Sequence, residues 1–263
     1  MNYQFQAIKT EKKENILTIT IDHPPTNAVN AAIHTDLRNI FPMINNDPET
    51  RVVVITGAGE RAFSAGGDVH HMVELLDDHQ AAIASMKEAQ ELLYGLLRLE
   101  KPLIARVNGH AIGLGATLAL FSDLIYAVET AKIGDPHVRV GYAAGDGGAL
   151  IWPQMIGYAR AREYLLTGEP LLAKEAAQIG LINRAVPLDS LDDLVYGMAR
   201  RLAAGPTVAI NSTKQAINLV LRRQFEGLIE VHSALELVSH FSADHAEAAR
   251  AFLEKREPVF TGR

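Results

Sequence analysis

Between residues 15 and 22 apolar and polar positions alternate, with Leu17, Ile19 and Ile21 set against Thr18 and Thr20. That is the period of a strand with one buried face, and Pro24-Pro25 stops it. Residues 30–44 then carry Ala32, Ile33, Leu37, Ile40 and Phe41 at helical spacing, ended by Asn45-Asn-Asp-Pro48. Arg51-Val-Val-Val-Ile-Thr56 predicts a second strand, buried on both faces. After a glycine-rich connection over residues 57–68, the pattern predicts one helix over 72–99, with Met86, Ala89, Leu92, Leu93, Leu96 and Leu97 on a shared face. Further strands are expected at 102–107 and 123–128. Strands alternating with helices in this way point to an α/β layer architecture.

Residues 133–148, rich in Gly, Asp and Pro, read as an ordered loop, and long loops in compact domains often carry function. Helical spacing then recurs over 159–166, 173–179, 191–203, 208–222, 225–237 and 243–255. Gly205-Pro206 divides the chain into an α/β core over 1–204 and a helical region over 205–263.

Composition narrows the function classes. The chain has 263 residues, enough to bury a sizeable core, and its 48% hydrophobic and 21% charged content is that of a globular protein. A formal charge of −6, with no basic block longer than a pair, argues against nucleic-acid binding. No cysteine is present, so disulfides and thiolate metal sites are excluded. Residues 1–10 lack a basic segment followed by an apolar one, and no run is long enough to span a membrane, so a cytoplasmic protein is expected.

Two glycine-rich stretches carry the candidate chemistry. In Asn108-Gly-His-Ala-Ile-Gly-Leu-Gly115 a strand runs through a turn into a small-residue helix. Such a turn aims free backbone N–H groups and the positive end of a helix dipole at one point, as half of an oxyanion hole would. The other stretch is Arg61-Ala-Phe-Ser-Ala-Gly-Gly-Asp68, where Asp68 reads equally as a helix N-cap. A dinucleotide reading of Gly57-Ala-Gly59 fails, because residues 63–67 intervene before the helix and no acid-ending strand follows.

Taken in order, these two stretches resemble the crotonase superfamily of enoyl-CoA hydratases and isomerases. The likeness extends to Ile21-Asp-His-Pro-Pro-Thr-Asn-Ala28, Leu165-Leu-Thr-Gly168 and Ala251-Phe-Leu-Glu-Lys-Arg256, and so spans nearly the whole chain. It implies a spiral of ββα repeats, followed by helices that assemble a trimer or a dimer of trimers. It also implies a bent acyl-CoA substrate, with coenzyme A as part of that substrate and no separate cofactor or metal. The thioester oxygen would be held by the backbone N–H groups of Gly67 and Leu114, each such donor being worth about 3 kcal/mol in the transition state. Leu114 replaces a frequent glycine, so its side chain would narrow the pocket. By the same mapping Phe63, Ser64 and Ala65 lie against adenine and pantetheine, Asp68, Gly113 and Thr117 flank the site, and Lys255 approaches the CoA phosphates.

The acid/base positions depart from the hydratases. Where those enzymes carry two glutamates, this chain has Thr117 and His137. It offers Asp135-Pro-His137 and the Gly145-Asp146-Gly turn instead, followed by Trp152-Pro153, a set that resembles the β-diketone hydrolase branch of the superfamily. A glutamate of the C-terminal helices in that branch falls near Ser233 here. A His137–Asp146 pair suits proton transfer near neutral pH. Tyr142 and Trp152 are further candidates for an acyl pocket or for core packing. His70-His71 beside Asp68 lack companions at zinc-like spacing, His110 reads as packing, and His232, His240 and His245 read as surface or interface residues. The leading expectation is an enoyl-CoA hydratase/isomerase-like enzyme working through His137 and Asp146. The alternatives are hydrolytic C–C cleavage of a β-diketone or cyclic β-keto substrate, and acyl-CoA binding without turnover.

Overall fold

The computed structural model describes residues 3–263; Met1 and Asn2, the start of the segment read for a leader, lie outside the described residues. Strand β1 (Ile8–Lys13) runs antiparallel to β2 (Ile16–Ile21), whose alternation the sequence displays. Helix α1 (Ala31–Asn45) follows, capped by Asn30, whose side chain accepts from the Ile33 N–H, and buries Ile33, Leu37, Ile40, Phe41 and Ile44. Next come β3 (Val52–Gly57), β4 (Ala62–Ser64), α2 (Val69–Leu75) and α3 (His79–Arg98), then β5 (Leu103–Val107), β6 (His110–Ile112) and α4 (Leu114–Leu120). The third turn begins with β7 (Leu124–Val128) and β8 (Lys132–Gly134), passes a 3-10 turn at His137–Val140, and enters α5 (Gly148–Thr167). The chain closes with β9 (Leu171–Leu172), α6 (Ala173–Gln178), β10 (Arg184–Val186), α7 (Leu188–Ala203), α8 (Thr207–His240) and α9 (Ala243–Glu254).

These elements form a spiral of ββα turns with a helical C-terminal region. The turns that begin at β3, β5 and β7 each contribute one strand to a large sheet of order β1-β2-β3-β5-β7-β10 and one short strand to a small sheet of order β4-β6-β8-β9. All neighbours from β2 to β10 in the large sheet are parallel, as are β4, β6 and β8 in the small one. Parallel strands need cover on both faces. One face of the large sheet packs Val52, Val54, Ile104 and Tyr126 on Leu191, Val195 and Ala199 of α7, while Val53, Ile55 and Ala105 join the core under α1 and α3. Among the described residues no helix is long and apolar enough to cross a membrane.

Several boundaries differ from the sequence pattern. The single helix expected over 72–99 is two, because Asp78 caps a new start with its side chain accepting from the Ala81 N–H. The helices expected over 208–222 and 225–237 are one, Thr207–His240. The segment over 159–166 is the second half of α5, which begins at Gly148 and bends at Gly157, where φ is 76°. The short strands β4, β6, β8 and β9 carry too few residues for alternation to register.

Asn108 ties the two sheets together beneath the glycine loops. Its Oδ1 accepts from the Gly57 N–H at 3.0 Å and from the Thr56 hydroxyl at 3.1 Å, and its Nδ2 donates to the Gly59 carbonyl at 2.7 Å. Asn27 adds bonds from Nδ2 to the Ala58 and Ala62 carbonyls. Asn108→Ala would leave these buried groups unpaired, so we expect a loss of about 3 kcal/mol in urea unfolding. A loss below about 0.5 kcal/mol, the range of ordinary surface substitutions, would remove Asn108 from this role.

Candidate active site

Because β4 and β6 lie side by side and parallel, the loops that leave them are stacked. The Ala65–Gly67 loop is held from one side by Val29, whose N–H donates to the Gly66 carbonyl and whose carbonyl accepts from the Asp68 N–H. The Gly66 N–H donates to Ser64 Oγ at 3.2 Å, and the Gly113 N–H donates to the Gly134 carbonyl at 2.9 Å. Gly66 has φ +86°, and a Cβ there would stand 2.6 Å from the Ile112 carbonyl oxygen and 3.3 Å from the Leu114 nitrogen. Only glycine permits that approach. Among the described residues, neither the Gly67 nor the Leu114 N–H has an acceptor. Leu114 opens α4, where the first N–H groups are unsatisfied and the dipole is positive.

His137 stands beside this pair: a Cβ at Gly113 would lie 3.9 Å from His137 Cε1. Its ring is held at Nδ1 by Asp135, and its Nε2 lies 3.6 Å from Asp146 Oδ2, too long for a direct hydrogen bond. Glu236 reaches in from α8, and a Cβ at Gly145 would come within 2.7 Å of Glu236 Oε2, so the glycine makes room for the acid. Asp135 Oδ2, Asp146 Oδ1 and Glu236 Oε2 are buried without a partner. Burial opposes charge on His137, yet Asp135 and Asp146 more than offset it and hold its pKa well above 6.5. Burial raises the Asp146 carboxyl against the pull of His137, and burial with the Asp146 charge holds Glu236 well above the glutamate range. The group is therefore an imidazolium held by the Asp135 and Asp146 charges, beside a Glu236 carboxyl that resists ionisation.

These residues border one cavity of about 620 Å³. Of the residues singled out in the sequence, Ala65, Gly67, Asp68, Gly113, Leu114, His137, Tyr142 and Asp146 line it. Asp68 also caps α2, accepting from the His70 N–H at 2.9 Å. Phe63 and Ser64 do not line it: both are fully buried, Phe63 in the core and Ser64 under Gly115. Trp152 is likewise core, packed near Tyr164, and Thr117 is buried behind Gly147. Lys255 is exposed at the end of α9 and is not part of the wall.

His240 and His245, read from the sequence as surface or interface residues, are buried inside this chain's own fold. His240 accepts from the Tyr142 hydroxyl at Nδ1 and donates from Nε2 to the Leu75 carbonyl, while His245 stacks on Tyr142 with ring centroids 3.9 Å apart. His110 is exposed, and its Nδ1 accepts the Lys132 N–H. Glu236 is the residue missed: it lies one helical turn beyond Ser233, on the buried face shared by Phe225, Ile229, Ser233 and His240. An acid on an apolar stripe was its signal.

Ligand atoms of Asp135, His137 and Asp146 lie within 4.8 Å of one another, as a metal site would require. Asp135, however, is committed to the His137 Nδ1 proton. That leaves Nε2, Asp146 and Glu236 facing the cavity, an arrangement suited to moving protons.

A family model described as enoyl-CoA hydratase/isomerase matches residues 11–263. The chain is similar to the carnitinyl-CoA dehydratase of Citrobacter koseri, with 34% identity over 258 residues covering 94% of this chain and 95% of the relative. It is 32% identical to the carnitinyl-CoA dehydratase of Escherichia coli O157:H7 over 98% of this chain and 99% of the relative. A solved enoyl-CoA hydratase/isomerase from Mycobacterium paratuberculosis superposes with a TM-score of 0.90 at 34% identity, over 94% of this chain and 99% of that one.

The buried acid cluster makes stability depend on pH with a definite sign. The raised pKa of His137 stabilises the fold fully below about 6.5, and this is lost as pH rises through the raised value. Glu236 keeps a proton that the unfolded chain releases above about 4, so its contribution also falls on raising pH. Unfolding free energy should therefore decline from pH 6 to pH 9 at fixed ionic strength, and Glu236→Gln should flatten the decline. A wild-type profile that is level or rises over that range would contradict the assignment.

Proposed function

The chain belongs to the enoyl-CoA hydratase/isomerase family of enzymes, and we propose that it interconverts β-hydroxyacyl-CoA and α,β-unsaturated acyl-CoA thioesters, using His137 and Asp146 in place of a glutamate pair. The observation that carries this reading is the pair of unaccepted N–H groups, Gly67 and Leu114, beside a buried imidazolium. In the dehydrating direction the Asp146 carboxylate takes the α proton, and the electron pair moves to the thioester oxygen. The two N–H groups hold that enolate oxygen. The electrons then return to form the double bond as the β hydroxyl leaves with a proton from His137 Nε2. Hydration is the reverse. The 3.6 Å gap between Nε2 and Asp146 suits an oxygen bonded to both. Coenzyme A enters as part of the substrate. The dehydratase names of the curated relatives support this reaction class.

Glu236 favours a second reading. A third acid/base group facing the same gap fits hydrolytic C–C cleavage of a β-diketone. There water adds to one carbonyl, the bond to the central carbon breaks, and the enolate so formed in the hole takes a proton at carbon. For assembly, Ile217, Val220, Val231, Leu235, Val238 and Phe252 are exposed on α8 and α9. This apolar face supports self-association through residues 205–263, as a trimer or a dimer of trimers.

Loss of the conjugated enoyl absorbance of crotonyl-CoA tests the first reading. His137→Ala and Asp146→Asn should each lower turnover by about 10²-fold or more while acyl-CoA binding persists. Full activity in both would remove the pair from the reaction. Ring opening of a cyclic 1,3-diketone without CoA, together with inertness towards enoyl-CoA esters, would transfer the assignment to the second.

A further inference from the structure

Strand β8 ends at Gly134, whose carbonyl accepts from the Gly113 N–H at 2.9 Å. The next residue, Asp135, is therefore placed by the same backbone contact that places the Leu114 donor. Asp135 is buried and does not line the cavity, so it cannot touch a ligand held there. Its Oδ1 takes two hydrogen bonds from His137, one from the ring at Nδ1 and one, at 3.4 Å, from the main-chain N–H. Its Oδ2 lies where a side chain at Gly148 would stand, and a Cβ there would collide with it. Helix α5 thus starts on a residue without a side chain at the point where the carboxylate needs room.

The two ring nitrogens of His137 are consequently unlike. Nδ1 is hydrogen-bonded to Asp135, whereas Nε2 lies 3.6 Å from Asp146 Oδ2, beyond direct hydrogen bonding. Removing the Nδ1 proton would strand a buried carboxylate against a lone pair, which costs far more than passing the Nε2 proton to an oxygen in the cavity. Burial works against charge on the ring, and the charges of Asp135 and then Asp146 outweigh it. Besides these two, Tyr142 faces the ring from the same loop with centroids 6.3 Å apart, and Glu236 acts on it from α8. His240 of α8 and His245 of α9 stand behind Tyr142, and His34 of α1 acts on Asp146. Of all these groups, Asp135 alone is hydrogen-bonded to the ring.

We propose that Asp135 is a positioning residue for the reaction: by keeping the proton on Nδ1 it fixes the His137 ring with Nε2 as the atom that exchanges a proton with the ligand. The inference rests on the acyl-CoA reading of this same cavity. It divides the two aspartates by task, Asp135 working behind the ring and Asp146 in front of it. In dehydration Asp146 takes the α proton, the Nε2 proton leaves with the β hydroxyl as water, and the neutral ring keeps its other proton on Nδ1. Hydration returns a proton to Nε2 alone. One proton is held between Nε2 and Asp146 in both directions, so losing it to solvent at high pH stops the reaction either way.

Nitrogen-15 NMR of histidine-labelled protein reads the state of each ring nitrogen, and His137→Ala identifies the His137 signals by their loss. In the wild type, raising the pH should remove the proton from Nε2 and leave that on Nδ1. Asp135→Asn keeps the size of the side chain but not its charge, so the ring should deprotonate at a pH lower by about one unit or more. With crotonyl-CoA the same variant should lose about 10²-fold in kcat with KM within about threefold, and the alkaline limb of its kcat profile should move down by the interval the NMR shows. Loss of activity with the limb in place, as a merely structural role would give, would overturn the assignment. So would a wild-type ring that releases the Nδ1 proton first, a result that needs no variant to fold. If the wild-type enzyme leaves crotonyl-CoA unchanged, the hydration reading fails, while the titration still decides whether Asp135 holds Nδ1.

Discussion

The site depends on how closely two pieces of backbone approach one another. Strands β4 and β6 pair in parallel, and the loops that leave them meet at Gly66 and Gly113, where even one methyl group on Gly66 would intrude on the Ile112 carbonyl. That contact sets Gly67 and Leu114, whose N–H groups have no acceptor among the described residues, in the wall of one cavity. Because these are main-chain atoms, their placement is settled by folding, and in the proposed reaction they would need no reorganisation as charge develops. Asn108 and Asn27 serve the same end one layer down, satisfying the Gly57–Ala62 connection that carries β4.

Around this rigid pair lies a region of opposite character. His137, Asp135, Asp146 and Glu236 are brought together where desolvation penalises every charge. The imidazolium survives because two carboxylates face it, and the acids in turn are kept from ionising together. Groups held far from their ordinary protonation behaviour, in a cavity beside free N–H donors, are suited to exchange protons with a ligand. Tyr142, with His240 and His245 behind it, ties this loop to α8 and α9, so the C-terminal helices bear on the site.

The long strands and helices were legible in the sequence because their apolar periods are long enough to be unambiguous: Ile16–Ile21 alternates, and α1 repeats at helical spacing. Strands of two or three residues, such as Leu171–Leu172, carry no period at all. The Asp78 cap that splits α2 from α3 was visible only as another acid in a helical pattern. The glycine loops stood out because such spacing has few other uses, and with them the resemblance that implies the fold. Phe63 and Ser64 show the limit of residue-by-residue transfer, since adjacency in sequence does not decide which side of a strand meets the cavity. Glu236 is separated from His137 by most of the C-terminal half of the chain, and only three-dimensional packing joins them.

Thr117 stands where the resemblance to the hydratases implies an acid, and its methyl group lies against the space a side chain at Gly147 would fill. The turn carrying Asp146 therefore sits in the volume that a longer residue at 117 would need. A longer side chain at 117 and the turn at Gly147 compete for one compartment, so filling it from the helix would displace the turn, and with it Asp146.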